Sequence, residues 1–192
     1  MRLTRSLVLH AAVGMALVIG VLTVSAVAPS APTAHAAKCA NANIRPGALS
    51  LVKLERAVEC LVNQRRRFRG RSRLKSKASI SNAAARHSRV MVRKNCFAHT
   101  CSGELDLSGR LHSVNYLPCN CTWQAAENIA WGDAWRGTAR NITRSWMRSP
   151  THRRNILTRT YQHAGVGVTR GRPGRPNSDA SATFTLVFGS KR

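Results

Sequence analysis

Seven carboxylates stand against thirty-one lysines and arginines in this chain, and one of them, Glu127, lies just ahead of the apolar run Ile129-Ala130-Trp131. A charged group drawn toward an apolar interior must find partners or lose its charge. Any fold open to the chain therefore has to bring polar side chains to Glu127 from elsewhere. Two further stretches set an ionisable group among residues that favour burial: Phe97-Ala98-His99-Thr100, and Trp146 to Leu157 with His152 at its centre. A Glu with two His, gathered from distant segments, can ligate a metal or do acid–base work.

The first 36 residues read as an address. Arg2 and Arg5 supply a positive start, Leu7 to Val27 is almost unbroken apolar sequence, and Ala34-His35-Ala36 has the small-x-small form of a cleavage site. The run is also about long enough to span a bilayer, which takes roughly 20 residues, so an uncleaved anchor is the alternative to release. No second apolar span follows. Cleavage after Ala36 leaves 156 of the 192 residues, an arm over 37–50 and one domain over 51–190. A chain of that size buries roughly 70% of its unfolded surface without depending on staples.

Export decides how the cysteines are read. Cys39, Cys60, Cys96, Cys101, Cys119 and Cys121 all follow the cleavage site. An even number in an oxidising compartment reads as three disulfides. Cys119 and Cys121 are too close to pair comfortably, and Cys96 and Cys101 straddle His99. The expected scheme therefore cross-links the Cys96/Cys101 pair to the Cys119/Cys121 pair, in either order, and joins Cys39 to Cys60. A four-cysteine zinc site is the competing reading, disfavoured by export. Formal charge is +24, or +22 once Arg2 and Arg5 leave with the leader, and arginines outnumber lysines twenty-five to six. Such an excess suits anionic wall polymers or lipid head groups. No nucleic-acid-binding motif accompanies it, which ranks that partner last.

Apolar positions Leu51, Leu54, Val58, Leu61 and Val62 recur at helical spacing behind Ser50, a candidate N-cap. The basic stretch Arg65 to Lys77 reads as a solvated loop. A second helix over 79–94 places Ile80, Ala83, Ala84, His87 and Met91 on one face, with His87 packed rather than ligating. A third, over 107–114, stops at Asn115. A fourth over 138–147 turns Ile142 and Trp146 inward, and Ser149-Pro150 starts a fifth. Strand patterns come late, at 164–169 and 182–188, with 123–130 a further candidate. Helices first and strands last argue for α+β, with helices on a small antiparallel sheet. Trp123, Trp131 and Trp146 read as core or cleft wall, and Trp135 as exposed.

These segments resemble the CAP superfamily, also called SCP domains, in its branch of secreted single-domain bacterial proteins. The likeness runs from about Leu51 to Gly189. It rests on Leu61-Val62-Asn63-Gln64-Arg65, His87-Ser88-Arg89-Val90-Met91, Phe97-Ala98-His99, Arg110-Leu111 before Tyr116, Glu127 to Gly132, Trp146 to Leu157, Gly165-Val166-Gly167-Val168 and Phe188-Gly189. The resemblance implies an α-β-α sandwich with an open cleft, lined in many members by two His and two Glu that in several hold a divalent metal. By motif the first His is His99, the first Glu Glu127 and the second His His152; Ser149 stands where the second Glu belongs. His99 and His152 are then the metal-ligand candidates, for zinc or another divalent cation. Glu127 and His152 are the catalytic candidates. Ser149 invites a triad with His152 and Glu127, but its hydroxyl is expected to cap the helix at Pro150. The function this implies is a secreted binding module at or outside the cell envelope, wall-associated where an anionic polymer holds it. The alternative is a metal- or Glu-assisted hydrolase of peptide or cell-wall material.

Overall fold

The computed structural model describes residues 39–117 and 121–191. The expected leader with its expected cleavage site, and Cys119, lie outside the described residues. Helix α1 (Leu51–Phe68) buries Leu54, Val58, Leu61 and Val62, as its spacing predicts. Ser50 has the extended backbone of an N-cap, yet its hydroxyl caps nothing. The basic stretch that follows is not uniformly solvated. Arg66 is fully buried, donating to the carbonyls of Ile156 (2.7 Å), Thr158 (2.8 Å) and Ser72 (2.8 Å). A guanidinium can enter an interior without a carboxylate when its N–H groups meet several carbonyls, since burial is costly only for bonds left unmade.

Strand β1 (Lys75–Ser76) leads into α2 (Ala78–Arg93), which Asn95 terminates in the left-handed region at φ 49°. Helix α3 (Leu107–Ser113) starts from Asp106, whose carboxylate accepts from the N–H of Gly109 at 2.7 Å, and ends before Asn115 at φ 56°. Strand β2 (Trp123–Asp133) extends the expected segment by three residues. A 3-10 turn over Ala134–Gly137 passes to α4 (Ala139–Arg148), capped by Thr138, and α5 (Pro150–Leu157) follows at once. Strands β3 (His163–Arg170) and β4 (Ser181–Lys191) close the chain.

The sheet runs β1-β3-β4-β2. Its long pairings are antiparallel; the two residues of β1 join β3 in parallel, an addition to the expected all-antiparallel sheet. Along β4, Ala182, Phe184, Leu186 and Phe188 meet Val166, Val168 and the apolar faces of α1, α4 and α5. The alternate residue Val187 packs against α2 and α3 with Ile80, Ala84 and Leu111. Helices on both faces make the domain an α-β-α sandwich. Among the described residues no helix is long and apolar enough to cross a membrane.

Two glycines of β3 set the spacing of one layer. A Cβ on Gly165 would lie 2.3 Å from the backbone nitrogen of Ser81, and one on Gly167 2.0 Å from that of Ala85. The backbone of α2 thus rests directly on the strand, and Ser88 seals the contact through the Gly167 carbonyl (2.9 Å) and the Thr185 hydroxyl (2.8 Å). Trp146 is the one tryptophan buried in the core. Trp123 and Trp131 are exposed along with Trp135, which corrects the expected core placement and leaves the wall reading open; both stand on β2 at the sheet edge.

Candidate functional site

Glu127 sits mid-way along β2, paired in register with Val187, which turns its side chain to the α2 face. Its carboxylate is 2% exposed. Oε2 accepts from Arg110 Nη2 on α3 at 2.7 Å, and Oε1 meets His99 Nδ1 at 2.8 Å. His87, fully buried on α2, brings Nε2 to 3.6 Å from Oε1 and bonds Glu104 through Nδ1 at 2.9 Å. Arg110 also donates to the carbonyls of His99 (2.9 Å) and Leu105 (3.2 Å). One guanidinium therefore neutralises the buried carboxylate and holds the loop that carries His99.

The structure joins Glu127 to His99, one of its two candidate partners; sequence reasoning misses Arg110 and Glu104. Arg110 stands in the sequence only as a landmark. Glu104 lies beside His87, so the cluster holds two carboxylates, although Ser149 stands where the resemblance leads one to expect a second Glu. His152 approaches from α5, whose Asn155 donates to the Glu127 carbonyl (3.3 Å) and to Asn128 Oδ1 (2.9 Å), while Asn128 donates to the His152 carbonyl (3.1 Å). These bonds stitch α5 along β2. The His152 imidazole makes no hydrogen bond among the described residues. Ser149 takes the N-cap backbone geometry, but its hydroxyl makes no cap bond, contrary to expectation. The triad is not assembled either, because Arg110 and His99, not His152, hold the Glu127 oxygens.

The His99 loop is tied at its base. Cys96 is bonded to Cys101 with Cα atoms 6.0 Å apart, and Cys39 to Cys60 with Cα atoms 5.7 Å apart. The first bond corrects the expected cross-link to the Cys119/Cys121 pair: the chain bends over residues 98–100 and brings the ends of the short loop together. Cys121 is disulfide-bonded.

The pKa values of His99 and His152 move in opposite directions. The hydrogen bond to Glu127 raises the His99 pKa above its ordinary 6.5, against partial burial and the charge of Arg110. Burial, and then the His99 charge, lower that of His152. Raised in the folded state, His99 adds stability that is present below pH 6.5 and lost as pH rises through its folded pKa. Depressed, His152 resists protonation, so stability falls as pH drops below 6.5. In an NMR titration His99 should titrate above His152, and Glu127→Gln should bring His99 down while leaving His152 nearly unmoved. Overlapping titrations in the parent protein would contradict this geometry.

A divalent cation would find two imidazoles here. His99 keeps Nε2 free while Nδ1 serves Glu127, the outer carboxylate–histidine arrangement common around zinc. Glu127 itself is occupied on both oxygens. Among the described residues no group of three or more His, Cys, Asp or Glu is placed to hold a metal, whereas catalytic zinc takes three protein ligands. The donor set suits a loosely held cation and not a resident catalytic zinc.

Comparison with known proteins agrees with this architecture. The uncharacterized protein YkwD of Bacillus subtilis (strain 168) is 32% identical over 121 residues, 62% of this chain, and the chain spans 43% of that relative's length. The fold is shared with an outer surface protein of Borrelia burgdorferi (TM-score 0.61, 13% identity, 75% of this chain and 97% of that one). It is shared too with an SCP-domain extracellular protein of Bacillus anthracis str. Ames (TM-score 0.57, 23% identity, 73% and 43%). The family model described as the cysteine-rich secretory protein family, CAP, matches residues 60–188. That match spans every element from late α1 to β4 and the whole cluster around Glu127, and the chain belongs to the CAP family.

Proposed function

We propose that the protein is a secreted binding module acting at or outside the cell envelope, with the cleft at His99 and His152 as its ligand site. The observation that carries this is the burial of Glu127. A general base must be within reach of its substrate, and here the carboxylate is 2% exposed and held by Arg110 on one oxygen and His99 on the other. Glu127 is a scaffold that aims His99, whose ring is 60% exposed and open at Nε2. Names borne by similar proteins, outer surface and extracellular, support the location. The surplus of basic residues supports an anionic wall polymer or lipid as the surrounding partner.

In this reading His99 and His152 hold a divalent cation weakly, with water completing the shell, and the cation would polarise or bridge to an incoming anionic ligand. Calorimetric titration of the exported protein with zinc should show binding that is lost in His99→Ala and in His152→Ala with the fold intact. Absence of heat in the parent would remove the cation. Hydrolysis of peptide or wall fragments, abolished by Glu127→Gln, would replace the binding module with the hydrolase.

A further inference from the structure

We infer that a groove lined by none of the residues clustered around Glu127, between the free edge of β2 and the outer face of α4, binds a phosphate-bearing anionic polymer. The recess has a volume of about 460 Å³ and is lined by Trp131, Arg136, Asn141, Arg144, Ser145 and Arg148 among others. Helix α4 buries Ala139, Ile142, Thr143 and Trp146, which leaves Asn141, Arg144, Ser145 and Arg148 on the opposite side. Arg144 and Arg148 are four residues apart, a spacing at which like charges on a helix repel.

Every carboxylate is engaged elsewhere. Glu55 accepts from the N–H of Val168 and Glu59 from the hydroxyl of Ser76. Glu104 and Glu127 serve the cleft, and Asp106 caps α3. Asp133 pairs with Arg172, and Asp179 with Arg170. Among the described residues Arg136, Arg144 and Arg148 make no ion pair or hydrogen bond. Three unpaired guanidiniums facing one recess are a site for an anion the chain does not supply.

Shape and spacing narrow its class. Four residues of rise along α4 set Arg144 and Arg148 about 6 Å apart along the axis, a gap that one tetrahedral phosphate, with several acceptor oxygens, can bridge. Trp131, exposed and stacked under Arg172 at 4.5 Å, gives the connecting atoms of a polymer an amphipathic wall. A recess accepts an extended chain, whereas a bilayer surface needs a protruding face. The inference rests on the proposed function only for where such a polymer is met, since the groove shares no residue with the cleft.

The test is fluorescence anisotropy of labelled long-chain inorganic polyphosphate with the exported protein. Joint substitution Arg144→Ala with Arg148→Ala should weaken binding about tenfold or more and lower the salt slope by about 1 per arginine removed. Arg67→Ala with Arg69→Ala, at the exposed end of α1, should change it less than about twofold, and His99→Ala with His152→Ala should leave it unchanged. An equal loss in the α1 control would reduce the groove to diffuse charge. Equal affinity for polyglutamate would overturn the phosphate class, and binding seen only with phosphatidylglycerol vesicles would replace the polymer with a membrane. A loss in the cleft variant alone would relocate the site to the cleft and leave the cation reading standing.

Discussion

Arg110→Ala is expected to remove roughly 3–5 kcal/mol of folding stability, the usual cost of leaving a buried charge without its partner. The Glu127 carboxylate is 2% exposed and loses the 2.7 Å bond from Nη2, and the carbonyls of His99 and Leu105 lose a donor at the same time. Against a typical total of about 5–15 kcal/mol, such a loss is a large share, and it should appear as a shifted midpoint in urea denaturation at neutral pH. Arg110→Lys should recover only part of it. An ammonium can neutralise Glu127, but a single point charge cannot also reach both carbonyls as the planar fork does. Glu127→Gln added to Arg110→Ala should cost less than the sum of the two, because the second change removes the stranded charge. A loss below about 1 kcal/mol in the single variant would mean that the pair is a surface ion pair.

Gly167→Ala should be comparably severe. Its new Cβ would lie 2.0 Å from the nitrogen of Ala85 and 2.3 Å from the carbonyl carbon of Ala84, and neither atom can turn aside as a side chain would. Helix α2 must lift off the sheet, breaking the two hydrogen bonds of Ser88 and loosening Ile80 and Ala84. Overpacking commonly costs about 1–3 kcal/mol, and a clash with main chain belongs at or above the top of that range. Thermal unfolding monitored by circular dichroism measures it. A variant as stable as the parent would show that helix and strand are farther apart than described.

The elements are legible because burial writes a period into sequence. The 3.6-residue spacing from Leu51 to Val62 and from Ile80 to Met91 locates α1 and α2, and Ser149-Pro150 marks the junction of α4 with α5. Strand β1 is not legible, since two residues of pairing leave no pattern. The Cys96–Cys101 bond escapes because it depends on the backbone bends over residues 98–100, which spacing alone does not reveal. Glu127 and His99 stand out by sitting among apolar neighbours. Arg110 does not: in Leu107-Ser108-Gly109-Arg110 it looks like any of twenty-five arginines. A signal does exist in composition, because a buried carboxylate in so basic a chain requires a cation, but only the packing of α3 against β2 says which one. Ser149 shows the converse, a residue whose local context promises a capping hydroxyl that the backbone turn does without.

The engagement of all seven carboxylates has a consequence for how this protein can vary. Most lysines and arginines sit in solvent, and each can be exchanged for another polar residue at small cost. Several of the acids have no such slack: neutralising Glu127, Asp106 or Asp133 removes a partner from a buried guanidinium, a helix cap or a strand end. In a saturation mutagenesis experiment scored by the yield of folded protein, intolerance should gather on the scarce charge, and the abundant one should drift nearly freely.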